Sequence, residues 1–441
     1  MEQRRKNLTQ LFIPICLETL LYMLSGMVDT LMLSSVNDQA VGAVGTANTY
    51  IGIFIIMFSV ISSGMVAVMT QNIGAGRPGV AYQARQLGLA FNAVLGVIMS
   101  LFLSLGAGII LSGVGVADAL MQPAKTYLQI VGGFCILNAL IPICSSYLRA
   151  FGFSKEPLYA SIIGNVINFC LNAFFLFVLH KGVAGVATAT VISRIINLVI
   201  VVLLGAVLVK AKQHPERESN RAVMGQIIRI GLPSACETAI YNVSMTLVIR
   251  FLNQMDAQGL NVTARSYTMQ ITNFSYCVGA ALAQANAIMT GWHIGAKEYD
   301  ACDRGTKKAA VIGVIVAVIL ETVFTLCSGW IMQLFSKDPQ MVSLVGKLLA
   351  IDIVLEIGRV TNLVYGQALK TSGDAVFPVV MGACFMILCS VGGTYLFGIR
   401  LGLLAVGAYI GMTGDECVRA VGMYLRWKSG KWKEKGLVKS R

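Results

Sequence analysis

PICLETLLYMLS (14–25) and PSACETAIYNVS (233–244) are the same segment met twice. Pro14, Glu18, Thr19, Tyr22 and Ser25 coincide with Pro233, Glu237, Thr238, Tyr241 and Ser244, each displaced by 219 residues in a chain of 441. The displacement persists further along. MTQNIGAG (69–76) is answered by MTGWHIGAK (289–297), and SYLRAFGFSKEP (146–157) more weakly by GQALKTSGDAVFP (366–378). Halves that match at an offset near half the length mark an internal duplication.

Each copy is built from membrane-spanning helices. The chain is 56% apolar and only 12% charged, with mean hydropathy +0.73, whereas soluble domains carry roughly 25% charged residues. That excludes a cytosolic enzyme and a secreted disulfide domain. Apolar runs fall at 8–33, 44–71, 86–112, 126–148, 158–180, 183–209, 226–252, 266–290, 307–335, 341–369, 376–398 and 402–425. A span needs about 20 such residues, so these read as twelve helices. The first run follows a basic N-terminus without a small-residue cleavage site and is expected to be a span rather than a signal peptide. The polar stretch between spans six and seven divides the chain into an N-terminal six-helix bundle (1–209), a cytoplasmic linker (210–225), a C-terminal bundle (226–425) and a basic tail (426–441). Two units with an even number of spans enter from the same side, as parallel repeats.

Loop charge sets the expected orientation. Of the 34 Lys and Arg, four (Arg194, Arg250, Arg359, Arg419) fall within or at the ends of spans. Six (Lys125, Lys181, Arg265, Lys337, Lys347, Arg400) fall on odd-numbered loops, and the other 24 at the termini and even-numbered loops. The positive-inside rule places both termini in the cytoplasm of a multi-pass cell-membrane protein. The net charge of +13 is accounted for by this asymmetry and calls for no nucleic-acid partner. The 11 Cys lie mostly in apolar runs with no Cys-x-x-Cys pair, as small packing residues.

Duplicated helical bundles are the plan of secondary transporters, and no phosphate-binding Gly-x-x-x-x-Gly-Lys-Ser/Thr loop points to ATP. Ion coupling directs attention to acids inside spans, where a charge costs about 2.5–3.5 kcal/mol on insertion scales. Glu18, Tyr22, Ser25 and Asp29 follow at helical spacing in the first span. Glu237, Tyr241 and Ser244 repeat them in the seventh, with Val248 at the counterpart of Asp29. A carboxylate with neighbouring hydroxyls suits a transient sodium ion or a proton equally. For Glu18 and Glu237 an interfacial position is the alternative, since each is about three turns from the cytoplasmic end of its span. Asp352, Glu356 and Arg359 share one face of the tenth span, and Asp415 and Glu416 both reach Arg419 in the twelfth; coupling and internal neutralisation are the two readings. Glu321 stands alone in the ninth. Asn165, Asn168 and Asn172 form a polar stripe on the fifth, as interhelical contacts or ion ligands. Pro14, Pro142 and Pro233 interrupt spans as kinks or hinges. His180, His214 and His293 have no partner ligands, so no resident metal or cofactor is expected.

MVDTLMLS (27–34), QNIGAGR (71–77), YLRAFGFSKEPLYASIIGNVINFCLN (147–172) and GVAGVATATVISRIINL (182–198) resemble the multidrug and toxic compound extrusion (MATE) family over nearly the whole chain. The resemblance implies a V-shaped, monomeric, twelve-helix antiporter that expels cationic amphipathic compounds in exchange for Na+ or H+. It implies a coupling role for Asp29, at the family's first-span acid, and for Glu237, at the seventh-span acid of its sodium-linked bacterial branch. Counting back from Ala368-Leu369-Lys370, the family's tenth-span acid falls near Arg359, with Glu356 and Asp352 as the candidates. A lipid-linked oligosaccharide or cell-wall-precursor flippase, from the same wider superfamily, is the alternative. Acids outnumber bases within the spans, which favours cationic cargo over a pyrophosphate. No convergent His/Asp, Cys/His or metal constellation suggests an enzyme.

Overall fold

The computed structural model describes residues 6–35, 38–113, 116, 118–210, 214–256, 259–333 and 335–438. Arg4, Arg5, Lys212, Lys439 and Arg441, which contribute to the loop charge, lie outside the described residues. Every regular element among the described residues is helical: α1 (Leu8–Ser34), α2 (Asp38–Gly74), α3 (Pro78–Gly113), α4 (Asp118–Tyr127), α5 (Ile136–Ala150), α6 (Lys155–Ala173), α7 (Gly182–Leu208), α8 (Asn220–Met255), α9 (Leu260–Gly295), α10 (Tyr299–Leu326), α11 (Ser328–Met332), α12 (Pro339–Ser372), α13 (Val376–Phe385) and α14 (Leu404–Lys428). Wider π-type turns carry α4 on through Leu128–Gly132, α6 through Phe174–Val178 and α13 through Met386–Val391 and Thr394–Arg400.

Among the described residues, seven of these stretches are long and apolar enough to cross a membrane, and α4 with α5 makes an eighth if read as one span bent by 42°. That bend falls between Gly132 and Ile136, ahead of Pro142. The remaining long helices, α8, α9, α12 and α14, have 25 to 36 residues but are more polar: Glu237 and Arg250 sit on α8, Asp352, Glu356 and Arg359 on α12, Asp415, Glu416 and Arg419 on α14, and Arg265, expected on a loop, is buried on α9. The twelve-span expectation is met in outline. Helices also outrun the apolar runs: the run at 44–71 belongs to Asp38–Gly74 and that at 266–290 to Leu260–Gly295. Backbone hydrogen bonding continues into water, so the apolar run marks the part that lipid covers, not the helix. The ninth expected span stops at Leu326, where Cys327 breaks the helix before α11. Leu105 and Ile109 on α3, each 81% exposed, belong to an outer apolar surface suited to acyl chains.

The chain divides into two compact units, Met1–Leu232 and Pro233–Arg441, with the boundary inside α8 at Pro233. In the first, Ala43, Ala47 and Ile51 of α2, Leu103 and Ala107 of α3, Leu128 and Ala187 form the main core, and α1 lies on α6. Small residues set one close crossing there: a Cβ on Gly64 would strike the Ile227 carbonyl, and one on Gly231 the Val60 carbonyl. In the second unit α12 is central, packed on α9, α10 and α14 around Val248, Leu252, Ile271, Leu348, Leu355 and Tyr409.

The duplication extends to backbone conformation. Left-handed residues recur in register, Gly76 with Lys297, Gly152 with Gly373, and His180 and Gly182 with Gly402 and Leu404. Three of these eight are not glycine, although a side chain costs about 1–2 kcal/mol in this region; the chain path is therefore held by the packing around it. The segments that follow the last helix of each repeat also anchor alike. After α7, Gln83 on α3 bonds the backbone of Glu218 at 2.7 and 3.0 Å and Arg77 pairs with the Glu218 carboxylate at 2.6 Å. After α14, Trp432 stacks on Trp427 at 4.2 Å and Trp427 donates to Asp303 on α10 at 2.9 Å.

Candidate functional site

In the first unit the polar centre is Asp29 on α1. Asn172 Nδ2, on α6, donates to Asp29 Oδ1 at 2.6 Å and lies 3.2 Å from Asn168 Oδ1. Both asparagines are buried, and Asn172 Oδ1 has no hydrogen-bond partner. Asp29 itself is half-buried, and Arg194 on α7 lies within electrostatic reach. The stripe read from the sequence is thus split. Asn168 and Asn172 meet Asp29, Asn165 is half-buried, and Tyr22 is 67% exposed. In the second unit Val248, at the matching position, is core; Ser244 is buried and Tyr241 is exposed.

Glu18 and Glu237 occupy a different setting. Arg149, near the end of α5, pairs with Glu18 at 2.6 Å, and Lys370, near the end of α12, pairs with Glu237 at the same distance. The side chains are 10–17% exposed. SYLRAFG and GQALKTSG thus each supply the base that pairs with the carboxylate of the repeated proline-glutamate motif in its own unit. Removing one partner of a buried pair costs about 3–5 kcal/mol, whereas replacing both can be neutral. We expect Arg149→Met to lower the thermal midpoint of the detergent-solubilised protein sharply, and Glu18→Gln with Arg149→Met to recover most of it. Equal losses in single and double variants would argue against the pair.

The second unit gathers its acids on α10, α12 and α14. Asp352 and Glu356, one turn apart on α12, meet Glu321 of α10; carboxylate oxygens of all three lie within 4.8 Å of one another, and all three residues are buried. Glu321 does not stand alone. Arg359 Nη1 lies 2.7 Å from Glu356 Oε1, and its Nε 3.7 Å from Glu416 Oε1. Arg419 holds Asp415 at 2.7 Å and Glu416 at 3.0 Å, while Ser390 and Asn362 donate to Asp415 and Glu416. Gly358 allows this meeting, since its open side faces the Glu416–Cys417 backbone of α14. Internal neutralisation thus accounts for Asp415, Glu416 and one oxygen of Glu356, but for none of Glu321. No spacing rule links Glu321 to α12; the available signal was that an isolated acid in an apolar helix requires a partner.

Repeated helical units with carboxylates buried in their spans define a membrane transporter scaffold. The chain belongs to the MatE family: residues 14–174 and 233–396 match its profile, each segment beginning at the proline of the repeated motif. It is 34% identical over 431 residues to "Uncharacterized transporter YisQ" of Bacillus subtilis (strain 168), covering 96% of this chain and 94% of that one. It is 23% identical to "Probable multidrug resistance protein NorM" of Thermotoga maritima, covering 98% and 94%. Among solved structures, that of a MATE protein in the bent conformation superposes with TM-score 0.88 at 18% identity, over 97% of this chain and 96% of that one. An outward-facing multidrug resistance MATE family transporter gives 0.86 at 18% identity, over 98% of this chain and 96% of that one.

Proposed function

We propose that the protein is a secondary active antiporter that expels cationic, amphipathic compounds in exchange for Na+ or H+ by alternating access. In this reading it acts as a monomer in the cytoplasmic membrane, with both termini inside. The observation that carries the proposal is Asp29: a half-buried carboxylate in an apolar span, held by Asn172 and with Arg194 near but not in a salt bridge with it. Such a group is retained in a membrane where it meets a positive ion or cargo. The relatives named as probable multidrug resistance proteins, from Thermotoga maritima and Streptococcus pneumoniae, support drug export as the coarser reading. A flippase for pyrophosphate-linked lipids would want free bases. Arg149, Lys370, Arg359 and Arg419 are each matched to a carboxylate and offer nothing to a pyrophosphate, although the buried Arg85 and Arg265 each keep an unpartnered Nε. No group transfer or bond cleavage is part of this function, which is transport and not catalysis. The test is efflux of ethidium from vesicles with sodium and pH gradients imposed separately. Efflux driven by either gradient is expected; none, for any cationic dye, would transfer the proposal to lipid-linked cargo.

A further inference from the structure

Glu321, Asp352 and Glu356 have between 0 and 1% of their surface exposed. Both oxygens of Glu321, Oδ2 of Asp352 and Oε2 of Glu356 have no hydrogen-bond partner. A fifth oxygen comes from a third helix: Ser275 on α9, 1% exposed, lies beside Glu321, where its hydroxyl can donate to that carboxylate and leave its own lone pairs for a cation. A buried carboxylate without donors costs several kcal/mol, and like charges this close raise the cost further. Three convergent carboxylates within 4.8 Å of one another, with a serine hydroxyl beside one of them, match the ligand set of a hard cation. Imidazole and thiolate, which softer metals prefer, are missing from the set.

Arg359 gives this pocket a second property. Its Nη1 binds Glu356 Oε1 at 2.7 Å while Nε approaches Glu416 Oε1 at 3.7 Å. Glu416 is already satisfied by Arg419 at 3.0 Å and Asn362 at 3.0 Å. One guanidinium thus stands between two carboxylates, one of which belongs to the oxygen cluster. A cation entering the cluster would compete with Arg359 for Glu356, and a displaced guanidinium has Glu416 within reach.

We propose that Glu321, Asp352, Glu356 and Ser275 form a binding site for a hard metal cation in the C-terminal unit, and that Arg359 is a tethered counter-cation which yields Glu356 to the metal and leans on Glu416. The site deepens the antiporter reading, because it names the ligands and an internal competitor for a coupling ion. It differs from the pair that family resemblance implies, since Glu237 is engaged by Lys370 and Glu321 takes part instead.

The test is equilibrium binding on the full-length protein in detergent, without dye or gradient, using radiolabelled sodium and, in a separate arm, calcium. Saturable binding of one of them is expected, abolished in Glu321→Gln and weakened in Ser275→Ala. Arg359→Gln should tighten binding about tenfold, the order of ordinary site-to-site coupling. This gain of affinity keeps the test informative if Glu321→Gln fails to fold. Absence of binding by either ion, binding unchanged in Glu321→Gln, or binding lost in Asp29→Asn instead overturns the site. Unchanged or weaker binding in Arg359→Gln overturns the role of the arginine. Efflux without binding would remove this site and leave the antiporter reading; binding without efflux would do the reverse.

Discussion

Asp29→Asn should reduce gradient-driven dye efflux about 100-fold, equivalent to about 2.7 kcal/mol, while protein level and thermal midpoint stay near wild type. The substitution keeps the shape and an oxygen that can accept from Asn172 Nδ2, so the α1–α6 contact survives. What it removes is the charge, and with it the attraction for a cation or the capacity to carry a proton. The measurement is initial efflux from vesicles at matched protein density. Retained efflux would shift the coupling function to the acids of α10 and α12.

Gly231→Val should prevent folding. A Cβ at this position runs into the backbone carbonyl of Val60, and a backbone atom cannot turn aside as a side chain can. Small residues at helix crossings in membranes allow such approaches. We expect a loss of about 4 kcal/mol or more, the range reserved for specific steric failures, read as absence of a monodisperse peak after detergent extraction. Gly225→Ala is the control. It lies on the same helix with nothing within 4 Å of an added Cβ, and should be neutral or slightly stabilising by helix propensity. If both variants behave alike, the crossing at Gly64 and Gly231 does not determine folding.

The repeat, the apolar spans and the Asp352–Glu356–Arg359 face were legible because each is local: a periodicity, an offset or a spacing of one turn. Glu18 with Arg149 and Glu237 with Lys370 were half legible. The motifs containing both partners visibly recur, but more than a hundred residues separate each carboxylate from its base, and only packing joins them. Glu321 was not legible as a partner of Asp352, because the relation is between helices. The polar helices α9 and α12 count as spans by their apolar runs, yet as whole helices they are less apolar than the seven clear spans. Hydropathy averages over a helix's circumference, whereas these helices keep their polar side chains against neighbouring helices.

Val248, buried in the core where the other repeat holds Asp29, has a historical consequence. A duplicated segment begins with two equivalent copies of every group, and a change in one copy is the moment at which the halves cease to be interchangeable. Here the acid of the first helix survives in one copy, and the acids of α10 and α12 stand in the other. The two half-molecules therefore carry different groups at equivalent positions, and a substitution at one has no reason to repeat its effect at the other.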